Sequence, residues 1–512
     1  MNLYQLFLFS VDRTPDNPVI IQDDRMYTYA QLSKEVDRVA SSLYRLGLKN
    51  GDRVMILLKN RIETVILFWA IQKLGAIFAP INLHSSTEEI LYCVNDLETK
   101  FIIFENASKL LLKKQKFKER PLLIGLEESL GDLNYDELVK QGITKVEPYP
   151  AQDEDIGVIL YTSGTSGKPK GVPRSHKNEY TSSMAHIFQC GYQRFERTLG
   201  IPTLSHTIGI RSLLTMTLVN GVYIPFPEFD AYKAIKMISD KKISCLFLTP
   251  TMYHDIVTHP YANRTDFLTI HSIVYSGGPM SAHLIEKCSE LMSPSLFVNL
   301  YGSTEVYTFS TCPDVRSKPG SAGKAGIHNR IKLVKLNSDL KISFDWLDKK
   351  GEIGEILVNM SSLEAFRGYW NRPDVTKKVI KDGWYFTGDV GYIDDEGDLF
   401  VVGRIDEMII SSGENIYPQE IEKVLSQHTS VKEAVVVGED DERLGQIVTA
   451  FIVTDNKELT PQALDFFCKS NNQLPNYKRP RKYIFIKDIP KNSAGKILLR
   501  ELKDGHFAEE KF

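Results

Sequence analysis

The residues best suited to do chemistry lie in the middle of the chain, in the run Tyr161-Thr-Ser-Gly-Thr-Ser-Gly-Lys-Pro-Lys-Gly171. The run combines glycines, hydroxyl side chains and two lysines, and it directly follows an apolar, strand-like segment. Glycine lets backbone N–H groups approach an anion closely, while hydroxyls add donors and lysine adds positive charge. The composition predicts a loop that binds a polyphosphate, although a flexible surface loop has the same composition.

This loop matches neither of the two common nucleotide-binding motifs. Gly164 and Gly167 are too close together for a Walker A loop, and Pro169 follows Lys168 where that motif has Ser or Thr. The G-x-G-x-x-G pattern of dinucleotide-binding folds does not fit the run either. A phosphate loop of another kind is expected, and the remaining motifs must identify it.

Four further motifs follow the loop. They are Asn299-Leu-Tyr-Gly-Ser-Thr-Glu305, Tyr385-Phe-Thr-Gly-Asp389, Gly403-Arg-Ile-Asp406 continuing into Ser412-Gly-Glu-Asn-Ile-Tyr-Pro418, and Pro490-Lys-Asn-Ser-Ala-Gly-Lys496. In this order, the five motifs together resemble those of the adenylate-forming (AMP-binding) superfamily, which includes acyl-CoA synthetases, luciferases and peptide-synthetase adenylation domains. The layout is most similar to that of the shorter bacterial acyl- and aryl-CoA ligases.

The resemblance implies an AMP-forming ligase that works in two steps. A carboxylate attacks the α-phosphorus of ATP to give acyl-AMP and pyrophosphate, and the thiol of coenzyme A then displaces AMP. The first step brings an anion against a polyphosphate, so it needs positive charge and Mg²⁺ close to the phosphates. The expected cofactors are therefore ATP, Mg²⁺ and coenzyme A.

The family pattern assigns roles to individual residues. Tyr301 would offer an aromatic face to adenine, Asp389 would accept hydrogen bonds from the ribose hydroxyls, and Glu305 would be the Mg²⁺ ligand. The catalytic residues would be Lys496, Glu305, Thr304 and His206. The full set expected to bind ATP is Thr162, Ser163, Gly164, Thr165, Ser166, Gly167, Lys168, Lys170, Gly277, Gly278, Asn299, Tyr301, Gly302, Thr304, Asp389, Arg404 and Lys496.

The resemblance also implies a moving C-terminal domain. Asp406 would be the hinge about which this domain rotates, so that Lys496 leaves after adenylation and a coenzyme A path forms. The residues expected along that path are Ser412, Gly413, Tyr477, Arg479 and Arg481. The family more often has two glycines where this chain has Ser412-Gly413.

The acyl pocket is expected beside the nucleotide motifs. Its predicted residues are His206, Thr207, Ile208, Phe247, Gly277, Leu300, Tyr307 and Thr308. The pocket contains no acidic residue to hold an amine, which favours a fatty, aryl or other non-amino acid. Two interpretations of Arg211 stay open, because it would serve either a second carboxylate on the substrate or a structural ion pair.

The motifs lie between alternating strand-like and helix-like segments. Thr28 and Gln31 form a capping box before apolar residues at helical spacing, and Gly47 is placed to end that helix. A second helix is predicted at about 62–74, and short apolar runs predict strands at Val54–Leu58, Phe101–Phe104, Val158–Tyr161, Cys245–Leu248 and Ser272–Tyr275. The alternation predicts an α/β fold whose large N-terminal domain has mainly parallel βαβ sheets with helices on both faces.

The composition changes near residue 404. The stretch 383–404 is dense in Gly and Asp and predicts short strand pieces. An α+β pattern follows, with helices at Pro418–Leu425 and Pro461–Ser470 and strands at Ala434–Val437, Ile447–Val453 and Tyr483–Ile486. We therefore predict an AMP-binding domain at 1–405 and a small mobile domain at 406–512 that carries Lys496.

Composition narrows the partners and the location. The 512 residues carry 62 Lys and Arg against 65 Asp and Glu, which argues against a nucleic-acid-binding protein. The six cysteines form no C-x-x-C pair, there is no segment apolar enough to span a membrane, and the C-terminus lacks a peroxisomal tripeptide, so a cytoplasmic protein is predicted. The predicted partners are a small-molecule carboxylic acid and coenzyme A. Peripheral membrane contact, a homodimer and a carrier protein as the alternative acceptor stay open, as does a degenerate nucleotide sensor.

Overall fold

The structure is a computed structural model that describes residues 2–105, 117–126, 131–140, 146–162, 168–336, 345–412, 414–471, 474–491 and 497–510. Its helices in these ranges are α1 Leu3–Arg13, α2 Tyr29–Arg45, α3 Ile62–Lys73, α4 Thr87–Leu97, α5 Tyr135–Lys140, α6 His176–Gln189, α7 Thr207–Leu218, α8 Ala231–Asp240, α9 Pro250–Thr258, α10 Ala282–Met292, α11 Pro373–Val379, α12 Pro418–Leu425, α13 Pro461–Ser470 and α14 Leu499–Lys503. None of the helices within those ranges is both long and apolar enough to cross a bilayer.

Three sheets of the N-terminal part are mainly parallel. The first has the order β7 Leu133–Asn134, β6 Leu122–Gly125, β5 Phe101–Phe104, β3 Arg53–Leu57, β4 Ile77–Pro80, β8 Ile156–Thr162 and β9 Lys170–Ser175. The second has the order β10 Arg197–Gly200, β11 Val222–Pro225, β1 Pro18–Gln22 and β2 Arg25–Thr28. The third has the order β12 Cys245–Leu248, β13 Ser272–Tyr275, β14 Leu296–Tyr301, β15 Ser310–Cys312 and β16 Lys324–Ala325.

Two further sheets are mainly antiparallel. The fourth has the order β17 Ile331–Val334, β18 Gly354–Asn359, β20 Trp384–Ile393 and β19 Ile380–Lys381, with β21 Leu399–Arg404 also paired to β20. The fifth has the order β23 Glu414–Ile416, β22 Ile409–Ser411, β25 Gly445–Val453 and β24 Glu433–Asp441, with β26 Lys482–Phe485 paired in parallel to β25. The predicted α/β class with a second α+β part is confirmed.

Local signals in the sequence set the element boundaries. In the capping box of α2, Gln31 N–H donates to Thr28 Oγ1 at 3.3 Å and Thr28 N–H donates to Gln31 Oε1 at 2.9 Å. Gly47 follows the end of this helix and has φ +89°. The next residue, Leu48, donates its N–H to Leu43 C=O at 3.0 Å, as in a glycine-terminated helix. Helix α3 carries apolar residues on all sides, as expected of a helix that is buried all round. Its Trp69 ring stacks on the Phe7 ring, with the ring centres 4.7 Å apart.

The stretch 383–404 differs from its prediction. Instead of short pieces it forms one strand of ten residues, β20, followed by β21. Gly388 adopts φ +73°, and the pairing with β21 shifts register between Val390 and Gly391. A bulge of this kind lets glycine lie inside a strand without ending it.

The chain passes from the fourth sheet to the fifth directly after Arg404. A short 3₁₀ helix, Ile405–Glu407, connects β21 to β22. Across this connection Tyr417 packs in one buried cluster with Val390 and Val402. The domain boundary predicted at residue 405 falls in this connection, and the division into 1–405 and 406–512 stays a prediction.

Stability should depend on two buried carboxyls, one in each predicted domain. Burial raises the pKa of Glu355 and of Glu422 to about 7, against a partial opposing effect from the backbone N–H donated to each by Gly388 and Val436. The folded protein therefore holds more protons than the unfolded chain between about pH 4.5 and 7, so the free energy of unfolding should fall as pH rises through this window.

Glu355→Gln and Glu422→Gln test this expectation, because the amide keeps an acceptor for the backbone N–H and cannot ionise. Each variant should unfold at a higher temperature than the parent at pH 8, with a gain of up to about 3 kcal/mol, and the gain should vanish near pH 5. The exposed Glu290→Gln is the control. A gain that is equal at both pH values would contradict the assignment.

Candidate active site

The turn after β14 begins the candidate site. Tyr301 ends the strand, and the chain folds back through Gly302 so that Phe309 N–H donates to Tyr301 C=O at 2.8 Å. A Cβ atom on Gly302 would lie 2.1 Å from the Tyr307 carbonyl oxygen, so only glycine fits this turn. Asn299, two residues earlier, donates its side-chain N–H to Ser321 C=O at 3.0 Å.

Tyr301 meets Asp389 and Arg404 across the gap between the third and fourth sheets. The Tyr301 hydroxyl donates to Asp389 Oδ2 at 2.6 Å, and Arg404 Nη1 donates to Asp389 Oδ1 at 2.7 Å. Asp389 and Arg404 are cross-strand partners of β20 and β21. Burial raises the pKa of the Asp389 carboxyl, while Arg404 and Tyr301 oppose the rise because they stabilise the anion.

Each Asp389 oxygen can accept one more hydrogen bond, since a carboxylate oxygen can accept two and each has one donor among the described residues. This arrangement can accept the two hydroxyls of a ribose. Arg404 also donates from Nε to Asp406 Oδ1 at 3.0 Å, so the residue predicted as the hinge is tied to the same guanidinium.

A second group of predicted residues lies around Glu305. Its Oε1 accepts a hydrogen bond from the Tyr369 hydroxyl at 2.6 Å, and Lys170 Nζ lies 4.8 Å from the centre of the Tyr369 ring. Thr304 precedes Glu305 in the turn, and Lys168 Nζ lies 5.6 Å from the ring centre of Tyr92. Lys170 and the predicted metal ligand Glu305 thus share a contact with Tyr369, whereas Lys168 lies against Tyr92.

The donor chemistry of Glu305 fits Mg²⁺. Within the described part of the chain no three His, Cys, Asp or Glu side chains form a ready-made metal cluster. Mg²⁺ bound with nucleotides commonly uses one or two carboxylates together with phosphate oxygens and water. A single carboxylate beside the phosphate loop therefore satisfies what the ion would require.

The predicted acyl pocket residues lie together. Ile208, Phe247, Leu300 and Tyr307 belong to one buried apolar cluster. Thr308 is fully buried and accepts a hydrogen bond from Arg211 Nη1 at 3.0 Å.

The remaining pocket residues lie at its polar side. His206 and Thr207 begin α7, and burial lowers the pKa of the His206 imidazole, which keeps the ring neutral near pH 7. Gly277 has φ +88°, beside Thr249, and Gly278 has no atom within 4 Å of where its Cβ would be.

The residues predicted to bind coenzyme A have different environments. Tyr477 is exposed, and Arg481 lies on the surface close to Arg479. Arg479 is engaged within the C-terminal part, where it pairs with Asp465 and donates to Asn476 Oδ1 at 2.7 Å. Ser412 has φ +52°, a left-handed conformation that favours glycine, which gives a physical reason for the glycine found more often at this position in the family.

Seven predicted site residues lie outside the described residues. They are Ser163, Gly164, Thr165, Ser166 and Gly167 of the phosphate loop, Gly413, and Lys496. Their roles stay predictions.

Sequence analysis missed two residues at the centre of the site. Tyr369 is 64 positions from Glu305 in sequence and belongs to none of the five motifs. Arg174 is fully buried between the phosphate loop strand β9 and the Glu305 turn. No strand was predicted directly after the loop, so no local signal in the sequence marked Arg174.

Comparison with known proteins identifies the family. The profile described as "AMP-binding enzyme" matches residues 7–370, and "AMP-binding enzyme C-terminal domain" matches residues 420–496. The chain belongs to the AMP-binding enzymes. The predicted family and the prediction of an enzyme are confirmed.

Curated relatives of this AMP-binding enzyme match it over nearly their whole length. A 2-succinylbenzoate–CoA ligase of Bacillus licheniformis is 31% identical and covers 96% of this chain and 97% of its own. A 4-chlorobenzoate–CoA ligase of an Arthrobacter species is 29% identical, covering 99% and 96%. A fatty acid–[acyl-carrier-protein] ligase of Streptomyces coeruleorubidus is 30% identical, covering 98% and 96%.

Solved structures of a CoA synthetase are also similar to this chain over nearly its whole length. The o-succinylbenzoate CoA synthetase of Bacillus subtilis in complex with its acyl-adenylate intermediate has a TM-score of 0.85 and 28% identity, covering 100% of this chain and 99% of its own. The structure of that synthetase with ATP and a magnesium ion has a TM-score of 0.83 and 28% identity, covering 98% and 99%.

The two glycines at the predicted adenine edge give a matched test of the nucleotide site. Gly302→Ala places a methyl group against the Tyr307 carbonyl, so the free energy of unfolding should fall by about 1–3 kcal/mol together with ATP affinity. Gly278→Ala enters open space and should leave the unfolding temperature unchanged.

Thermal unfolding and calorimetric ATP titration of both variants measure these effects. A loss of ATP affinity in Gly278→Ala without loss of stability would place the nucleotide against this turn. Gly302→Ala with unchanged stability would contradict the crowding argument.

Proposed function

We propose that this AMP-binding enzyme is an AMP-forming carboxylic acid:CoA ligase, which activates a fatty, aryl or other non-amino acid with ATP and transfers it to coenzyme A. The observation that carries the proposal is the convergence of Tyr301, Asp389 and Arg404 in a chain that matches named CoA ligases over nearly their whole length. The predicted acyl pocket residues Leu300 and Tyr307 and the predicted nucleotide residue Tyr301 adjoin along the Gly302 turn.

Each group has a chemical task in adenylation. Asp389 accepts the ribose hydroxyls, Tyr301 lies against the adenine, and Lys168 and Lys170 balance phosphate charge. Glu305, whose carboxylate is held in place by the Tyr369 hydroxyl, would bind Mg²⁺, and that ion would neutralise charge on the phosphates. The carboxylate of the acid approaches past His206, whose neutral ring adds no proton to the attacking oxygen.

The second step uses the other domain. Lys496 stabilises charge during adenylation and is carried away when the small domain rotates at Asp406. Ser412, Gly413, Tyr477 and Arg481 then line the approach of coenzyme A. Arg479 supports this surface from within the domain, because its guanidinium is committed to Asp465.

ATP–pyrophosphate exchange over a panel of carboxylic acids tests the adenylation step. At least one non-amino acid should support exchange that depends on Mg²⁺, and added coenzyme A should then be consumed in proportion to AMP released. Exchange with amino acids alone would contradict the proposed substrate class.

A carrier protein is the second candidate acceptor, because one relative is named as a fatty acid–[acyl-carrier-protein] ligase. Exchange with an acid but no consumption of coenzyme A, followed by acylation of a carrier protein with its phosphopantetheine arm, would favour this reaction. Tight ATP binding without exchange for any acid would favour a nucleotide sensor, against which the retained Lys170, Glu305, Asp389 and Lys496 argue. A cytoplasmic location and a homodimer stay predictions.

Removal of the lysine separates the two half-reactions. Lys496→Ala should slow adenylation about 10²–10³-fold, the typical cost of losing one preorganised charge contact in a transition state. Thioester formation from supplied acyl-AMP should change by no more than a few fold. Single-turnover rates of both steps measure this difference.

Lys487→Ala, from the same basic stretch, is the matched control and should leave both steps unchanged because this lysine is exposed. An equal loss of both half-reactions in Lys496→Ala would reject the domain rotation.

A further inference from the structure

Arg211 is a buried cation beside the predicted acyl pocket that has no ion-pair partner among the described residues. Its side chain comes from α7, the residue is 2% exposed, and its guanidinium carbon lies 4.7 Å from the centre of the Tyr307 ring. Nη1 donates to Thr308 Oγ1 at 3.0 Å, whereas Nε has no hydrogen-bond partner among the described residues. Tyr307 and Thr308 are both predicted acyl pocket residues.

The nearest carboxylates are engaged elsewhere. Glu179 pairs with Arg174 at 3.0 Å, and Glu364 pairs with His328 at 3.3 Å. Both carboxyls act on Arg211 electrostatically, yet neither forms an ion pair with it in the described part of the chain. A structural ion pair, one of the two interpretations open from the sequence, is therefore not what the structure contains.

A second group of unused donors and acceptors lies beside Arg211. His186, from α6, is fully buried, with its ring 4.8 Å from the centre of Phe247 and 4.8 Å from that of Tyr192. Neither ring nitrogen has a hydrogen-bond partner among the described residues. Burial, and then the positive charge of Arg211, hold the pKa of His186 well below its usual range.

Buried polar groups in proteins are nearly always hydrogen-bonded, and a buried charge without a partner is costly. Within the described part of the chain, Arg211 Nε and both nitrogens of His186 depart from this rule in one small region. All of them adjoin Phe247, Tyr307 or Thr308, which are pocket residues. Donors of this kind beside a buried guanidinium suit an oxygen-bearing anion on a ligand.

We propose that Arg211 and His186 recognise a second acidic group on the substrate, so that the acid activated by this enzyme is a dicarboxylic acid. The inference rests on the proposed function. His206, placed near the reacting carboxylate, precedes α7, and Arg211 lies roughly 7 Å further along the helix axis at 1.5 Å per residue. That separation leaves room for a short carbon chain or one ring between the two carboxylates.

Matched acids test the inference on the unmodified enzyme. ATP–pyrophosphate exchange is measured with hexanoate against adipate, with butyrate against succinate, and with 4-methylbenzoate against benzene-1,4-dicarboxylate. We expect the dicarboxylic member of at least one pair to exceed its partner in kcat/KM by tenfold or more. Exchange that favours the monocarboxylic member of every pair overturns the inference and leaves the proposed function intact.

Variants then locate the preference. Arg211→Met should lower kcat/KM for the preferred diacid by roughly 30-fold or more, which is the usual cost of removing one partner of a buried charge pair. The kcat/KM for the matched monoacid should change by less than about threefold. Arg211→Lys should retain part of the preference because it keeps the charge. His186→Phe should weaken the preference and spare exchange with the monoacid.

Arg38→Met, on the exposed face of α2, is the control for an arginine lost elsewhere. Unfolding temperature and ATP affinity of each variant report on its fold, so a loss confined to the diacid is separated from general damage. An equal loss for both members of the pair in a folded Arg211→Met enzyme overturns the assignment. No exchange with any acid in the unmodified enzyme would reject the proposed function itself.

Discussion

Arg174 holds the active site together. This fully buried residue ends the strand of the phosphate loop and pairs with Glu179 at 3.0 Å, while Nη1 donates to the carbonyls of Glu305 and Glu364 at 3.2 and 2.6 Å. Its guanidinium also lies 3.8 Å from the centre of the Tyr307 ring. One cation thus fixes the strand that follows the phosphate loop, the Glu305 turn and Tyr307 of the predicted acyl pocket relative to one another. The buried charge is tolerated here because the guanidinium is paired with a carboxylate and also hydrogen-bonded to two carbonyls.

The nucleotide site depends on a junction between two sheets. Tyr301 ends a parallel strand of the third sheet, whereas Asp389 and Arg404 are opposed on an antiparallel ladder of the fourth. The 2.6 Å hydrogen bond between Tyr301 and Asp389 joins them. The parallel sheets provide a rigid base, and the antiparallel ladder adds the acceptor for the sugar. Residues far apart in sequence come together because each lies where its own strand ends or bulges.

Local signals in the sequence were sufficient to predict many helices and strands, but they could not predict the contacts between these elements. The strands Phe101–Phe104 and Ser272–Tyr275 and the helix Pro418–Leu425 have their predicted bounds, because each is a short apolar run or a capped amphipathic turn. Tyr301, Asp389 and Glu305 were singled out by the family resemblance of the five motifs, and their roles stay predictions. Tyr369 and the unpaired state of Arg211 could not be predicted, since both result from long-range packing that no local spacing encodes.

Arg404 connects the sugar acceptor to the chain between the sheets, because it bonds Asp389 at 2.7 Å and Asp406 at 3.0 Å at the same time. Two carboxylates therefore share one guanidinium. A change that strengthens the bond of Arg404 to one carboxylate weakens its bond to the other. By thermodynamic linkage, this effect is the same in both directions. Occupation of the predicted sugar site and the mobility of the connecting segment are then thermodynamically coupled. A change in either one alters the other through Arg404 alone.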